Sequence, residues 1–378
     1  MAPNPASEPR REPAGCVIKV AGEEIVDLYP FLTEVTVECY RELRREPKAT
    51  LSFESRRDEH GQWTVQDAGV LAAWQPIAIE AAFGTYTEEV MRGFIRELQA
   101  DYPEDPGAAT VRVECRDQSL PLDREHVRTV WGGDAPTDDA TIVDAILSAH
   151  GLSLHPDSAP GQSGLVLNQD STDVRFLLAR AEANGYELIF RQGEVYFGPM
   201  RPEAEPQAPI MVYAGVDTHC YRFSVRVDGH QPDRVAFDVA AAQGSETVER
   251  IIEPNLHLLG TEAADSSASG LREFTWRLTR QGDANEETLV ARAQAKANEL
   301  AMKVRAEGEL DGSLYGHVLR VGEPVGVDGT GEWLGGTYYV CRVSHRFTLD
   351  GYRQSFTLLR NAYGDNLEST SSVLAGIL

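Results

Sequence analysis

Residues 176–199 read FLLARAEANGYELIFRQGEVYFGP and change their hydrophobic period in mid-run. Up to Asn184 the apolar side chains recur at helical spacing, with Val174, Leu177, Leu178 and Ala181 on one face. From Tyr186 the period drops to two. YELIF and EVYFG alternate as strands about the turn sequence Arg191-Gln192-Gly193. Asn184-Gly185 supplies a left-handed helix stop, and Ser171 or Thr172 can cap the start. A helix feeding straight into a hairpin requires a small core shared by both. Upstream, TIVDAILSAHG repeats the helical plan: Thr141 with Asp144 forms a capping-box pattern, Ile142, Val143, Ile146 and Leu147 share a face, and Gly151 follows. Residues 117–200 are therefore expected to form an α/β unit of two helices and a hairpin.

The flanking sequence reads mainly as β. VIKVAGEEI places two strands around Ala21-Gly22, and TVECY, ATLSFES and IAIEAAF follow as short alternating runs. MRGFIREL suits a helix by composition, while Gly93 and the following TVRVEC leave a strand equally open. Residues 16–116 thus read as one β domain, with strands in 210–240 available to complete it. RPEAEPQAP, 201–209, is a proline-rich connector. Beyond it come IMVYAG, YRFSVRV and RVAFDVA, then the polar loop GTEAADSSASG. The longest helical signal is placed at 285–307. Asp283 or Asn285 can cap it, Gly308 stops it, and Leu289, Ala293, Ala297, Leu300 and Val304 form a narrow stripe suited to a sheet. The chain then returns to β as far as Tyr363. Residues 1–15 and 364–378 read as a disordered lead-in and a tail.

Composition narrows the function classes. With 59 acidic against 35 basic residues the net charge is −24, opposite to the clustered basic charge that neutralises phosphates, so nucleic-acid binding is not expected. No apolar run approaches the roughly 20 residues that span a bilayer, and the N-terminus carries no secretory h-region. The five cysteines have no paired spacing and read as free thiols in a reducing cytoplasm. None of the nine histidines has metal-ligand spacing, and His345, between Val343 and Phe347, reads as a packing residue. The glycine-rich GVDGTGEWLGG, 326–336, lacks the Lys-Ser/Thr ending of a phosphate loop and leads into a strand, so it reads as a hairpin loop. Trp63, Trp74, Trp131, Trp276 and Trp333 never cluster, and read as core or interface anchors. No catalytic motif, metal site or cofactor site is found. The expectation is a β-rich α+β scaffold that presents edges and faces to other chains.

The helix and hairpin resemble the pattern "FL..LAE..GY" closing on "YFG" in hub proteins of contractile phage tails and related injection systems. The family comprises phage late control protein D, the baseplate hub of T-even phages and the hub part of type VI secretion spikes. The matching residues are Phe176, Leu177, Leu178, Ala181, Glu182, Gly185, Tyr186, Tyr196, Phe197 and Gly198. Three further stretches are similar in the same order. They are FIRELQADYPEDPGAATVRVECRDQSLPLDRE, ATIVDAILSAHGLSL, and GHVLRVGEPVGVDGTGEWLGGTYYVCRVSHRFTLDGYRQSFTLLRN, where His345, Gly351, Tyr352 and Arg360-Asn361 fall into place.

The resemblance implies two tube-protein-like β-barrel domains, 16–116 and 210–363, joined by the α/β domain. It implies a homotrimer whose six barrels form a pseudo-hexameric ring adapting a threefold spike to a sixfold inner tube. Partners would be a spike on a separate chain, as in late control protein D, the inner tube protein and other baseplate components. Neither nucleic acid nor membrane is implied. The protein would be a non-enzyme, made in the cytoplasm and assembled into a phage tail or an injection particle, the particle being either freed by lysis or held in the cytoplasm. The competing reading is a cell-wall glycan hydrolase using a carboxylate pair, which no residue here marks.

Overall fold

The computed structural model describes residues 13–367 except 44, 105, 241–246, 266–269 and 280–285. It is β-rich with short helical insertions, and a 13-stranded sheet forms its frame. The first unit contains β1 (Gly15–Val20), β2 (Leu32–Tyr40), β3 (Lys48–Glu54), β4 (Pro76–Phe83), β5 (Tyr86–Asp101) and β6 (Thr110–Asp117). Alternation builds its core: Ala49, Leu51 and Phe53 of β3 face in, as do Val111, Val113 and Cys115 of β6. Ala21 and Gly22 both adopt positive φ after β1, as the turn signal required. MRGFIREL is strand, not helix. Met91, Gly93 and Ile95 point inward, and a Cβ on Gly93 would lie 1.8 Å from the Arg116 carbonyl oxygen. The glycine there allows two backbones to touch, and pairing to β4 and β6 overrides helix propensity.

The middle unit carries β7 (His126–Trp131), α1 (Asp139–Ala149), β8 (Leu167–Thr172), α2 (Asp173–Asn184), β9 (Glu187–Arg191) and β10 (Glu194–Gly198). Ile142, Val143, Ile146 and Leu147 of α1 pack with Phe176, Leu177 and Ala181 of α2 against Val195 and Phe197. The cap of α1 differs from the sequence expectation. Asp138 holds the Thr141 N–H at 2.7 Å, because Thr141 already lies inside the first turn. Thr172 precedes α2, but its hydroxyl donates to Asp123 rather than accepting from the helix. Gly185, at φ +67°, ends α2, and Gln192 and Gly193 at positive φ form the hairpin turn.

The second unit contains β11 (Gln207–Met211), β12 (Cys220–Val227), β13 (Arg234–Ala240), β14 (Thr247–Ile252), β15 (Thr275–Arg277), α3 (Glu286–Ala301), β16 (Val304–Asp311), β17 (Pro324–Asp328), β18 (Gly336–Thr348) and β19 (Gly351–Arg360). Strand β11 takes the last residues of the expected connector. The long helix stops at Ala301 rather than 307. From Val304 the burial alternates, with Val304, Ala306, Gly308 and Leu310 inside, so the helix ends six residues early and strand β16 begins at Val304. The expected caps Asp283 and Asn285 lie outside the described residues. Leu289, Ala293, Ala297 and Leu300 seat α3 on Val235 and Phe237 of β13, as the narrow stripe predicts. GVDGTGEWLGG connects the antiparallel β17 and β18, with Val327 opposite Gly336.

The lateral order in the first unit is β1-β4-β5-β6-β3-β2, and in the second β11-β17-β18-β19-β16-β12. Ranked by sequence position among the six named strands that each unit gives to the large sheet, both orders are 1-4-5-6-3-2. Only the first strand differs in direction, antiparallel to its neighbour in one unit and parallel in the other. The strands of 210–240 do not complete the first unit. Strand β12 pairs with β16, and β13 pairs with β14 and β15. The first sheet instead continues through β2 into β18 by antiparallel pairing from Thr348 opposite Glu34 to Arg342 opposite Tyr40. Phe347 of β18 and Tyr352 of β19 enter the first core, which is the packing reason for that choice.

Candidate functional site

The polar structure of the molecule concentrates where the three units meet. Glu187 opens β9 in a run of apolar neighbours and is 4% exposed. Its carboxylate accepts from Arg41 Nη1 at 3.1 Å, just past β2, and from the Tyr339 hydroxyl at 2.8 Å, on β18. One side chain thus receives a donor from each flanking unit. Burial pushes Glu187 above the usual carboxylate range, while Arg41 and Tyr339 act against that rise. At the other end of β9, Arg191 pairs with Glu323, and its Nη2 donates to the Val321 carbonyl at 2.8 Å.

A second node ties the helices. Asp139, fully buried at the start of α1, accepts from Arg180 Nε at 2.6 Å, Asn184 Nδ2 at 2.7 Å and the Gln162 N–H at 2.9 Å. Gln162 reaches on to Thr288 of α3 at 3.2 Å. The same helices touch at Gly185, where a Cβ would fall 2.4 Å from that of Ala295. The glycine serves two ends: it allows the left-handed stop, and it leaves room for α3.

Between the units lies a cavity of about 180 Å³, lined by Leu43, Val90, Leu178, Phe190, Val318 and Asp117 among others. Asp117, at the end of β6, gives one oxygen to the Ser119 N–H and hydroxyl, while its Oδ2 has no partner. Burial is the main cause that lifts its carboxyl to about 6. His345 also borders this cavity. It is buried with Nδ1 2.8 Å from the Tyr352 hydroxyl, and desolvation pushes it down to about 3. Phe347 stacks on Tyr352 at 4.1 Å, and Gly351, at φ +116°, makes the turn that brings β19 back.

The residues singled out from the sequence therefore fall into two groups. Phe176, Leu177, Leu178, Tyr186, Tyr196, Phe197 and Gly198 build the middle unit, and Leu178 among them lines the cavity. Gly198 sits where a Cβ would meet the Tyr196 hydroxyl at 2.5 Å, and Arg201 lies 4.0 Å over the Tyr196 ring, tying the hairpin to the chain that follows. His345, Gly351 and Tyr352 belong to the junction of the first and second units. Glu187, Arg41, Tyr339 and the Asp139 node escaped sequence reasoning. The one available signal was a glutamate at a strand position otherwise filled by apolar residues.

Burial lifts the thiols of Cys16, Cys39, Cys115 and Cys220 to about 12, which keeps them protonated. Among the described residues no group of three or more His, Cys, Asp or Glu is arranged to hold a metal ion, and no helix is long and apolar enough to cross a membrane. Among the tryptophans, Trp131 is half-buried and packs against the core of the middle unit. Trp74, Trp276 and Trp333 are exposed, Trp74 beneath Arg124 and Trp333 stacked on Tyr363.

A family model described as the Alg8 N-terminal domain matches residues 11–348. Among curated protein sequences none matches the chain. Similar solved structures include the 43 kDa tail protein of prophage MuSo2 from Shewanella oneidensis, at 14% identity and TM-score 0.66, covering 92% of this chain and 98% of that one. A tail protein from Neisseria meningitidis MC58 is similar at 13% identity and TM-score 0.60, covering 93% and 97%. The Escherichia coli c3393 protein, a component of the type VI secretion system with structural similarity to the T4 tail proteins gp27 and gp5, is similar at 13% identity and TM-score 0.52, covering 93% and 79%. At such identities the likeness is one of fold: a β-rich α+β fold shared with phage tail proteins.

Proposed function

The chain belongs to the Alg8 N-terminal domain family, and we propose that it is a structural component of a tail-type particle, the hub on which spike and inner tube meet. The observation that carries the reading is the repeated strand order 1-4-5-6-3-2 within one continuous sheet. A chain holding two like units presents six of them when three copies close into a ring, which is what an adaptor between threefold and sixfold partners needs. The fold neighbours support the same reading, being tail proteins and a type VI secretion component. On this reading the division into two tube-like barrels and a bracing α/β domain is functional, and Phe176, Gly185, Tyr186, Phe197, His345 and Tyr352 hold it rigid. The spike, the inner tube protein and other baseplate components are the partners, with no reaction catalysed.

The full chain, purified with its spike partner, is expected to assemble as a trimer with a central channel, read by analytical ultracentrifugation and electron microscopy. A strictly monomeric particle in the presence of that partner sinks the proposal. Reproducible clearing of cell-wall material by the chain, abolished by one carboxylate substitution, would instead favour the hydrolase.

A further inference from the structure

The join between the two units inside one chain shows how an edge of this fold accepts a neighbour. Strand β18 is long. Its first residues pair with β17 through Tyr339, and beyond them the same edge is free to receive β2. The pairing covers seven residues, from Arg342 to Thr348. On the outward face, Arg346 Nε donates to Glu34 at 2.6 Å and Arg342 to Glu38 at 3.0 Å. On the inward face Val35 lies opposite Phe347, Val37 opposite His345 and Cys39 opposite Val343. The donor is the second strand of its unit, and the acceptor is the fifth strand of the other.

The repeated strand order supplies the same two parts again, without a partner among the described residues. The second strand of the second unit is β12, the terminal strand of the sheet, bonded only to β16. The fifth strand of the first unit is β5. It pairs with β4 through Phe94, and past that point its edge from Arg96 to Asp101 faces no strand, with all six residues exposed. An uncovered strand edge is a template for pairing with another chain. One chain cannot bring its own β12 to its own β5, since the rest of the 13-stranded sheet lies between them.

The side chains on the two edges match. Strand β12 presents Arg222 and Arg226 outward, four residues apart, on the face of Glu309 and Arg305. Strand β5 presents Glu97 and Asp101 outward, also four apart, on the face of Glu114 and Thr110. Antiparallel pairing sets Arg222 against Asp101 and Arg226 against Glu97. The internal join has the opposite polarity, with an acidic donor strand and a basic acceptor whose ion pairs lie two positions off direct register. On the inward face Phe223 and Val225 of β12 would cover Leu98, an exposed leucine on β5. The exchange also excludes a wrong match, because β12 offered to the β18 edge would set arginines against Arg342 and Arg346.

The geometry points to a head-to-tail contact between copies of this chain, in which β12 of one adds antiparallel to the Arg96–Asp101 edge of β5 in the next. Rested on the ring-forming reading above, it makes the contact between chains a near-copy of the join within each chain. A ring then contains alternating joins of opposite polarity, and the sheet runs through it without an open edge.

The test uses the full chain with its spike partner and three variants: Arg222→Glu with Arg226→Glu, Glu97→Arg with Asp101→Arg, and all four together. Thermal unfolding of the isolated variants, at surface sites, reports that each still folds. Either double reversal is expected to weaken association between copies about a hundredfold or more, read by ultracentrifugation, and the fourfold exchange to restore it. Assemblies that keep the wild-type mass in both double variants overturn the edge pairing while leaving the hub intact. A fourfold variant that stays dissociated also counts against it, and a monomeric wild-type chain removes both ideas.

Discussion

Asp117→Asn separates the energetic consequence of a buried charge from that of a lost contact. Asp117 is 4% exposed, so solvent screens it little. Its carboxyl stands at about 6 in the folded chain against 3.8 for an ordinary aspartate, with desolvation the leading cause and the Ser119 hydrogen bonds opposing it. A difference of about 2 pKa units corresponds to ~3 kcal/mol between protonation states. The folded value is the raised one, so the protonated form favours folding. That stability is fully present below about 3.8 and is lost as pH rises through about 6. Asparagine keeps the oxygen that accepts from Ser119 and removes the charge. Urea unfolding between pH 4 and 7.5 should show the variant gaining on the wild type by ~2 kcal/mol from the acid to the neutral end. His345 works in the opposite sense, since its depressed value loses stability as pH falls from 6.5. It titrates alike in both proteins and cancels from the difference. A wild-type-minus-variant difference that does not change with pH would refute the assignment of an unpaired, charged Asp117 at neutral pH.

Gly185→Ala combines a positive φ with a 2.4 Å approach to Ala295, and should cost on the order of 2–3 kcal/mol in chemical unfolding. A change within experimental error would mean that α2 and α3 do not touch there. Glu187→Gln keeps the shape and removes the charge opposite Arg41, leaving that guanidinium buried without its counter-ion. A loss of about 3 kcal/mol is expected, and less than about 1 kcal/mol would show that the junction does not depend on the pair.

Legibility along the chain follows the range of the interactions involved. Helix α2 and its hairpin were readable because period, glycine stop and turn residues are neighbours in sequence, and the structure reproduces them from Asp173 to Gly198. The narrow stripe of α3 was equally readable. Its end was not, because Val304 fits both the helical stripe and the alternation of β16, and only pairing with β12 and β19 decides between them. MRGFIREL was undecided for the same reason. Asp138 was missed as the cap of α1 because Thr141 supplied a competing pattern three residues on. At the junction, Glu187 showed one local sign, an acid among apolar residues. Its partners lie 146 and 152 positions away, where no local rule reaches.

By itself the sequence determined the class of the molecule: a β-rich chain with a small helical unit in its middle, acidic, with the helices and hairpin of that unit placed by period and glycine. These properties depend on residues a few positions apart, and backbone geometry translates them directly. Only the tertiary structure decided that two units share one strand order, that β2 passes its edge to β18, and that β12 and the end of β5 are left over with matching charge. Edge pairing is made by backbone groups that every residue carries, so sequence marks a strand without naming its neighbour. The neighbour is chosen when cores close and one register buries its apolar face.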